Sequence, residues 1–202
     1  EKFMSFNKCK NTNFYFQCVE EIAKKIDKYK IEQIVVKLLK IRKQKGRIFL
    51  IGVGGSAANC SHAVNDFRKL CGLQAYSPCD NFSEMSARIN DEGWNGIFKE
   101  WLKISNINSK DGLFILSVGG GNKEKKVSEN IIEAINYSKK KKAKIFGIVG
   151  RDGGYTKKKG NYVLVIPTVA NSLVTPLSES FQAVVWHAIV SSPLIQIKKT
   201  KW

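Results

Sequence analysis

The stretch Arg47-Ile48-Phe49-Leu50-Ile51-Gly52-Val53-Gly54-Gly55-Ser56 decides how this chain reads. Its apolar run is too short for a helix, is rich in β-branched and aromatic residues, and ends in glycines. A run with no polar alternation suits a strand covered on both faces, which is the habit of parallel sheets. Behind the glycines, Ser56 offers a hydroxyl as the expected N-cap of a helix running to about Cys71. The unit is therefore strand, glycine turn, helix.

Similar units follow. Leu113 to Val118, Ala143 to Val149 and Tyr162 to Ile166 are further buried-strand runs. Helical patterns at Val127 to Lys139 and at Thr175 to Val190 separate or follow them. In the last, Leu177, Phe181, Val184, Val185 and Ala188 form one apolar stripe, expected in the core. Upstream, roughly Phe14 to Lys43 is helical by pattern: Phe14, Cys18, Ile22 and Ile26 recur every four residues, and Ile31, Ile34, Val35, Leu38 and Leu39 follow at helical spacing. Strands alternating with helices predict an α/β fold, a doubly wound parallel sheet flanked by helices. The expected division is residues 1–44 as an N-terminal helical segment and residues 45–202 as the sheet domain. Ligands of such sheets bind beyond the carboxyl ends of the strands.

Composition narrows the class. With 202 residues and 43% hydrophobic content, the chain can bury one substantial core. No apolar run approaches the roughly 18 residues of a membrane span. The first ten residues carry lysines and no apolar stretch, so the expectation is a cytoplasmic protein without a membrane partner. Lys+Arg number 34 against 17 Asp+Glu, a formal net of +17. Yet the lysines fall in surface-type runs, such as Lys139 to Lys142, Lys157 to Lys159, and Lys198-Lys199 with Lys201, without interleaved aromatics. Nucleic-acid binding thus has only net charge behind it. The five cysteines (Cys9, Cys18, Cys60, Cys71, Cys79) contain no CxxC pair and read as reduced, packed thiols.

The candidate chemistry lies in two glycine loops and two helices. Val53-Gly54-Gly55-Ser56 and Ser117-Val118-Gly119-Gly120-Gly121-Asn122 each follow a strand, so backbone N–H groups and a helix start could cradle an anion. Neither has nucleotide-fingerprint spacing, and each could also be a simple tight turn. Both histidines, His62 and His187, sit on helical patterns near an acid. His62 and Asp66 are spaced i, i+4 and share a helix face. Glu179 and His187 are eight apart, about 80° of rotation, on nearly one side of the last helix. Such a set suits a divalent metal or an acid/base pair, and equally two unrelated structural histidines.

Five segments in order, GVGGSAANCSH, NDEGWNGIF (Asn90 to Phe98), SVGGGN, VGRDGG (Val149 to Gly154) and ESFQAVVWH ending at His187, resemble the sugar-isomerase (SIS) domain family, and within it the phosphoheptose isomerases. The resemblance covers about Lys45 to Ser192. It implies a five-stranded, flavodoxin-like parallel sheet and a homotetramer assembled through the N-terminal helices. The implied reaction converts sedoheptulose 7-phosphate to D-glycero-D-manno-heptose 7-phosphate, the route by which heptose enters lipopolysaccharide. By motif, His62, Asp66, Glu179 and His187 fall on the family's zinc ligands, one ion per subunit. Asp66 and His187 fall on its acid/base residues. Val53, Gly54, Gly55, Ser56, Asp66, Asn90, Asp91, Ser117, Val118, Gly119, Ser128 and Glu179 fall on its substrate contacts. A non-catalytic sugar-phosphate sensor or adaptor, or an isomerase of another phosphosugar, is the alternative.

Three departures from that family bear on the site. Asp66 stands for a Glu, and Glu179 for a Gln. The second loop normally reads Ser-Thr-Ser-Gly, whereas here Ser117-Val118-Gly119-Gly120 is followed by extra residues through Lys126. Two hydroxyls are gone, so backbone N–H groups or a lysine such as Lys123 must serve a phosphate there.

Overall fold

A computed structural model of the chain describes residues 10–199; the polar stretch before residue 10 with Cys9, and Lys201, lie outside the described residues. In chain order the elements are α1 (Lys10–Lys25), α2 (Lys28–Lys43), β1 (Arg47–Ile51), α3 (Gly55–Cys71), β2 (Gln74–Tyr76), α4 (Phe82–Glu92), α5 (Ile97–Ile104), β3 (Gly112–Ser117), α6 (Glu129–Lys140), β4 (Lys144–Val149), α7 (Gly154–Lys159), β5 (Tyr162–Val165) and α8 (Val174–Val190). The five strands form one sheet in the order β2-β1-β3-β4-β5, and every pairing is parallel.

Side-chain alternation divides the strands between two cores. Ile48 and Leu50 of β1 join α2, α3 and α8 on one face, with Leu38, Phe67, Phe114, Phe146 and Trp186. Phe49 and Ile51 point the other way, against α5 and α6, with Phe98, Trp101, Leu113 and Ile135. All six residues of β3 are buried, as its uninterrupted apolar run requires. At the amino edge of the sheet, buried Asp111 holds the entries of β1 and β3 together. Its carboxylate pairs with the Arg47 guanidinium at 2.8 Å and accepts the backbone N–H groups of Arg47 and Asn108 at 2.8 and 3.0 Å.

Two expectations are corrected and two elements are located. The N-terminal helices expected between Phe14 and Lys43 are α1 and α2, divided where the Asp27 side chain accepts the Lys30 N–H at 2.9 Å and starts α2. Ser56 is not a cap: Gly54 occupies that position at φ 62°, and Ser56 lies buried inside α3. Of the α8 stripe, Leu177, Phe181 and Val185 are buried, but Val184 and Ala188 face outward, and Trp186 and Ile189 take the inward positions. Finally β2 is an edge strand with no counterpart among the apolar runs, since only Ala75 of its three residues is buried.

The strand order reverses between β1 and β3. Their carboxyl ends therefore open a crevice where the β1–α3 and β3–α6 loops diverge.

Candidate active site and metal centre

A cavity of about 660 Å³ fills that crevice. Val53 and Ser56 come from the first glycine loop, Ser117, Val118 and Gly119 from the second, and Ser128 from the start of α6. Arg151 and Asp152 of the β4–α7 turn, Lys125 of the β3–α6 loop and Thr175 of α8 complete much of the wall. Gly54 is the hinge of the first loop: its positive φ and the open space where a Cβ would stand fit a backbone left clear for a ligand. The Ser117 Oγ accepts the Gly120 N–H at 3.0 Å, so its own O–H remains for a ligand in the cavity. Helices α3, α6 and α8 all begin here, and none has a side-chain cap. Their first N–H groups, with the positive ends of the helix dipoles, make the region electropositive.

The two loops beyond β3 and β4 are fastened to each other through backbone. Tyr155 and Thr156 donate their N–H groups to the carbonyls of Gly121 and Gly120 at 2.8 and 2.9 Å, and the Thr156 hydroxyl donates to the Gly120 carbonyl at 2.8 Å. A Cβ on Gly120, which sits at φ 67°, would strike the Gly153 backbone. The extra residues after Gly121 close on themselves: Asn122 and Val127 exchange N–H···O bonds of 2.9 and 3.0 Å across an antiparallel bridge. The result is a small hairpin at the rim, with Lys125 turned to the cavity.

The second constellation lies farther along α3 and α8, which run side by side in the same direction. Gly55 faces Glu179, Asn59 faces Gln182, His62 faces Trp186, and Asp66 faces His187. Asp66 Oδ2 is 3.9 Å from the Nε2 of both His62 and His187, too long for hydrogen bonds. One ligand atom from each of the three residues lies within 4.8 Å of the others. The His187 Nδ1 to Ala183 carbonyl contact of 2.8 Å is a hydrogen bond when Nδ1 carries the proton, which leaves the Nε2 lone pair facing Asp66. Two imidazoles and a carboxylate at this separation need only small rotations to reach the spacing of ligands around zinc, with a position left open. The donor set fits a divalent ion. A recess of about 260 Å³, also lined by Asn65 and Lys69, fronts the three.

The other expected site residues divide. Val53, Ser56, Ser117, Val118, Gly119 and Ser128 line the cavity; Gly54 and Gly55 support it without lining it. The Glu179 carboxylate rests against Gly55, where a Cβ would come within 2.6 Å of it, so it does not stand with His62, Asp66 and His187. Asn90 and Asp91 sit exposed at the end of α4, the Asn90 amide donating to Asp91 at 2.8 Å, outside the cavity wall. Lys123 does not line the cavity, whereas Lys125 does. Arg151, Asp152 and Thr175 escaped the sequence reading. The rule that ligands gather at strand carboxyl ends, applied to the loop after β4, would have found the first two.

Between cavity and trio the helix seam is filled. Asn59 donates to the Glu179 carbonyl at 2.9 Å and to Gln182 Oε1 at 3.1 Å, and buried Trp186 meets the edge of His62. The two places are therefore separate within one subunit.

Comparison with known proteins gives a consistent set. A family model described as the SIS domain matches residues 14–150. The lincomycin biosynthesis protein LmbN of Streptomyces lincolnensis is 30% identical over 154 residues, 71% of this chain and 54% of that protein. The chain thus spans about half the length of that relative. A phosphoheptose isomerase of Aneurinibacillus thermoaerophilus is 28% identical over 164 residues, 79% of this chain and 77% of that protein. Among solved structures, the phosphoheptose isomerase GmhA from Neisseria gonorrhoeae superposes with a TM-score of 0.75 at 22% identity, covering 89% of this chain and 92% of its own. That likeness establishes the fold.

Proposed function

This chain belongs to the SIS-domain family, and from that membership we propose that it is an aldose–ketose isomerase of phosphorylated sugars. Sedoheptulose 7-phosphate is the proposed substrate and D-glycero-D-manno-heptose 7-phosphate the product. The observation that carries the reading is the cavity at the strand reversal, where serine hydroxyls, uncapped helix starts and two cations converge on one space suited to a phosphate.

The reaction moves one proton from C1 to C2 and one between the two oxygens. Asp66, a carboxylate on the accessible seam, takes the C1 proton and returns it to C2 of the enediol. His187, whose Nδ1 is held by Ala183, relays the oxygen-bound proton through Nε2. His62, Asp66 and His187 are the residues that would hold zinc, with Glu179 as a fourth ligand only after its side chain swings away from Gly55. Ligation and proton transfer would use the same lone pairs of Asp66 and His187, so each would act on the proton only while released from the ion. A bound zinc ion supplies Lewis-acid polarisation of the substrate carbonyl. Asn90 and Asp91 are proposed as sugar contacts from a neighbouring subunit, since both are exposed and outside their own cavity.

The same logic supports a homotetramer with shared sites. Phe14, Phe16, Tyr29 and Val36 are 48%, 64%, 73% and 48% exposed, an apolar surface on α1 and α2 that one subunit leaves uncovered. Residues 1–44 would form that contact and residues 45–202 the phosphosugar-binding part. No described helix is long and apolar enough to cross a membrane, and the proposed setting is the cytoplasm.

The decisive experiment is incubation of the purified protein with sedoheptulose 7-phosphate, with and without chelator, followed by NMR of the sugar. Conversion that chelator slows is the expected result. A sugar phosphate that binds without turning over would instead indicate a sensor or adaptor, a reading favoured by one observation: the trio lies outside the cavity of its own subunit.

A further inference from the structure

The second glycine loop brings Val118 and Gly119, which have no hydroxyl, to the cavity wall, yet the cavity is not short of anion donors. It gains two positive side chains from different loops, Lys125 on the rim hairpin and Arg151 on the β4–α7 turn. Neither the Lys125 Nζ nor the Arg151 guanidinium has a hydrogen bond or ion pair among the described residues. The one carboxylate in the wall, Asp152, accepts the Gly154 N–H at 3.1 Å and so serves its own turn.

Both cations are held by stiff supports. Arg151 adopts φ 50° in the turn fastened to Gly120 and Gly121, and Lys125 stands on a hairpin locked by the 122–127 bridge and by its own N–H donating to Asn122 Oδ1 at 2.8 Å. Lys123 and Lys126 belong to the same hairpin and carry the same charge, but neither lines the cavity. The selection of one lysine among neighbours is geometric.

We infer that Lys125 and Arg151 are the phosphate-binding residues of this cavity, a clamp built on charge. A phosphomonoester carries nearly two negative charges at neutral pH, about −1.5 to −2. Lys125 supplies a point charge and Arg151 a planar fork that matches two phosphate oxygens. Ser117, which adjoins the Arg151 turn, and the α3 N-terminus complete the set of donors. The ligand class is a sugar carrying a terminal phosphate, and the inference rests on the phosphosugar reading of the cavity. Because the clamp is exposed and ionic, its grip weakens as salt rises.

Titration calorimetry with inorganic phosphate and with sedoheptulose 7-phosphate tests it on the full chain. Lys125→Met and Arg151→Met should each weaken both ligands by roughly 10- to 100-fold, the range for losing a charged hydrogen bond. Lys123→Met should bind within about twofold of the parent, and Lys125→Arg should restore most of the loss, which a folding defect would not allow. In turnover the Met variants should raise KM and leave kcat near the parent value. Parent-like binding in both Met variants, or an equal loss in Lys123→Met, overturns the clamp. If the parent binds the sugar phosphate through these residues but never isomerises it, the clamp stands and the isomerase reading falls. If the parent isomerises it and the Met variants keep the parent KM, the reverse holds.

Discussion

At the scale of single residues, the sharpest expectations concern the trio. His62→Ala removes one of three convergent donors, so it should lose bound zinc, measured by metal analysis after dialysis, together with activity. Asp66→Asn keeps the shape and removes the base; kcat should fall by at least about 10²-fold with a smaller change in substrate binding. Parent-like turnover in Asp66→Asn would sink the proposed proton transfer. Cys71 gives a pH expectation. Burial pushes its thiol from the ordinary 9.0 up to about 11, so folding favours the protonated form. That contribution is complete below pH 9 and is lost as pH rises from 9 toward 11. The urea midpoint should therefore drop over that interval, and drop less in Cys71→Ala. How much of the site was legible follows the same division. His62 and Asp66 meet because four residues along one helix fix their spacing, which any helical reading captures. Glu179 carries the same kind of argument with His187, yet its side chain turns to the α3 N-terminus, a choice made by packing that spacing cannot express.

At the scale of elements, Asp111 joins the starts of two adjacent strands with one carboxylate. Asp111→Ala would take the carboxylate from Arg47, leaving it the Ser105 and Asn106 carbonyls, and would leave two backbone donors unpaired. A loss of about 2–4 kcal/mol in chemical denaturation is expected, discounted because Arg47 keeps partial contact with water. An unchanged midpoint would mean that water or a neighbour replaces the carboxylate. Strands β1, β3 and β4 were legible because two-sided burial leaves no polar alternation in their sequences. The edge strand β2 was not, because Gln74 and Tyr76 answer to solvent on one side and only pairing with β1 defines them. The N-terminal helices were legible from their apolar spacing, and the Asp27 cap marks where the second begins. Lys125 and Arg151 were invisible as a pair, since only the backbone fastening of two loops some thirty residues apart brings them to one wall.

At the scale of the whole molecule, the uncovered aromatic residues of α1 and α2 predict assembly. Light scattering at micromolar concentration should return a tetramer mass, and Phe16→Glu combined with Tyr29→Glu should shift it toward monomer. A parent that is monomeric at that concentration removes the shared-site mechanism. The amino edge of the sheet, away from the cavity, carries its own lesson. Helices α6 and α7 return to the amino edge of the sheet and deliver Lys139, Lys140, Lys157, Lys158 and Lys159 there, the Lys139 ammonium donating to the Lys159 carbonyl at 3.2 Å. Those positive charges sit at helix ends whose dipoles welcome them, a full strand length from the cavity. On a negatively charged chromatography resin the protein would thus dock by its lysine end. The cavity would face the flowing solvent, so immobilised protein should bind sugar phosphate from the stream without covalent coupling.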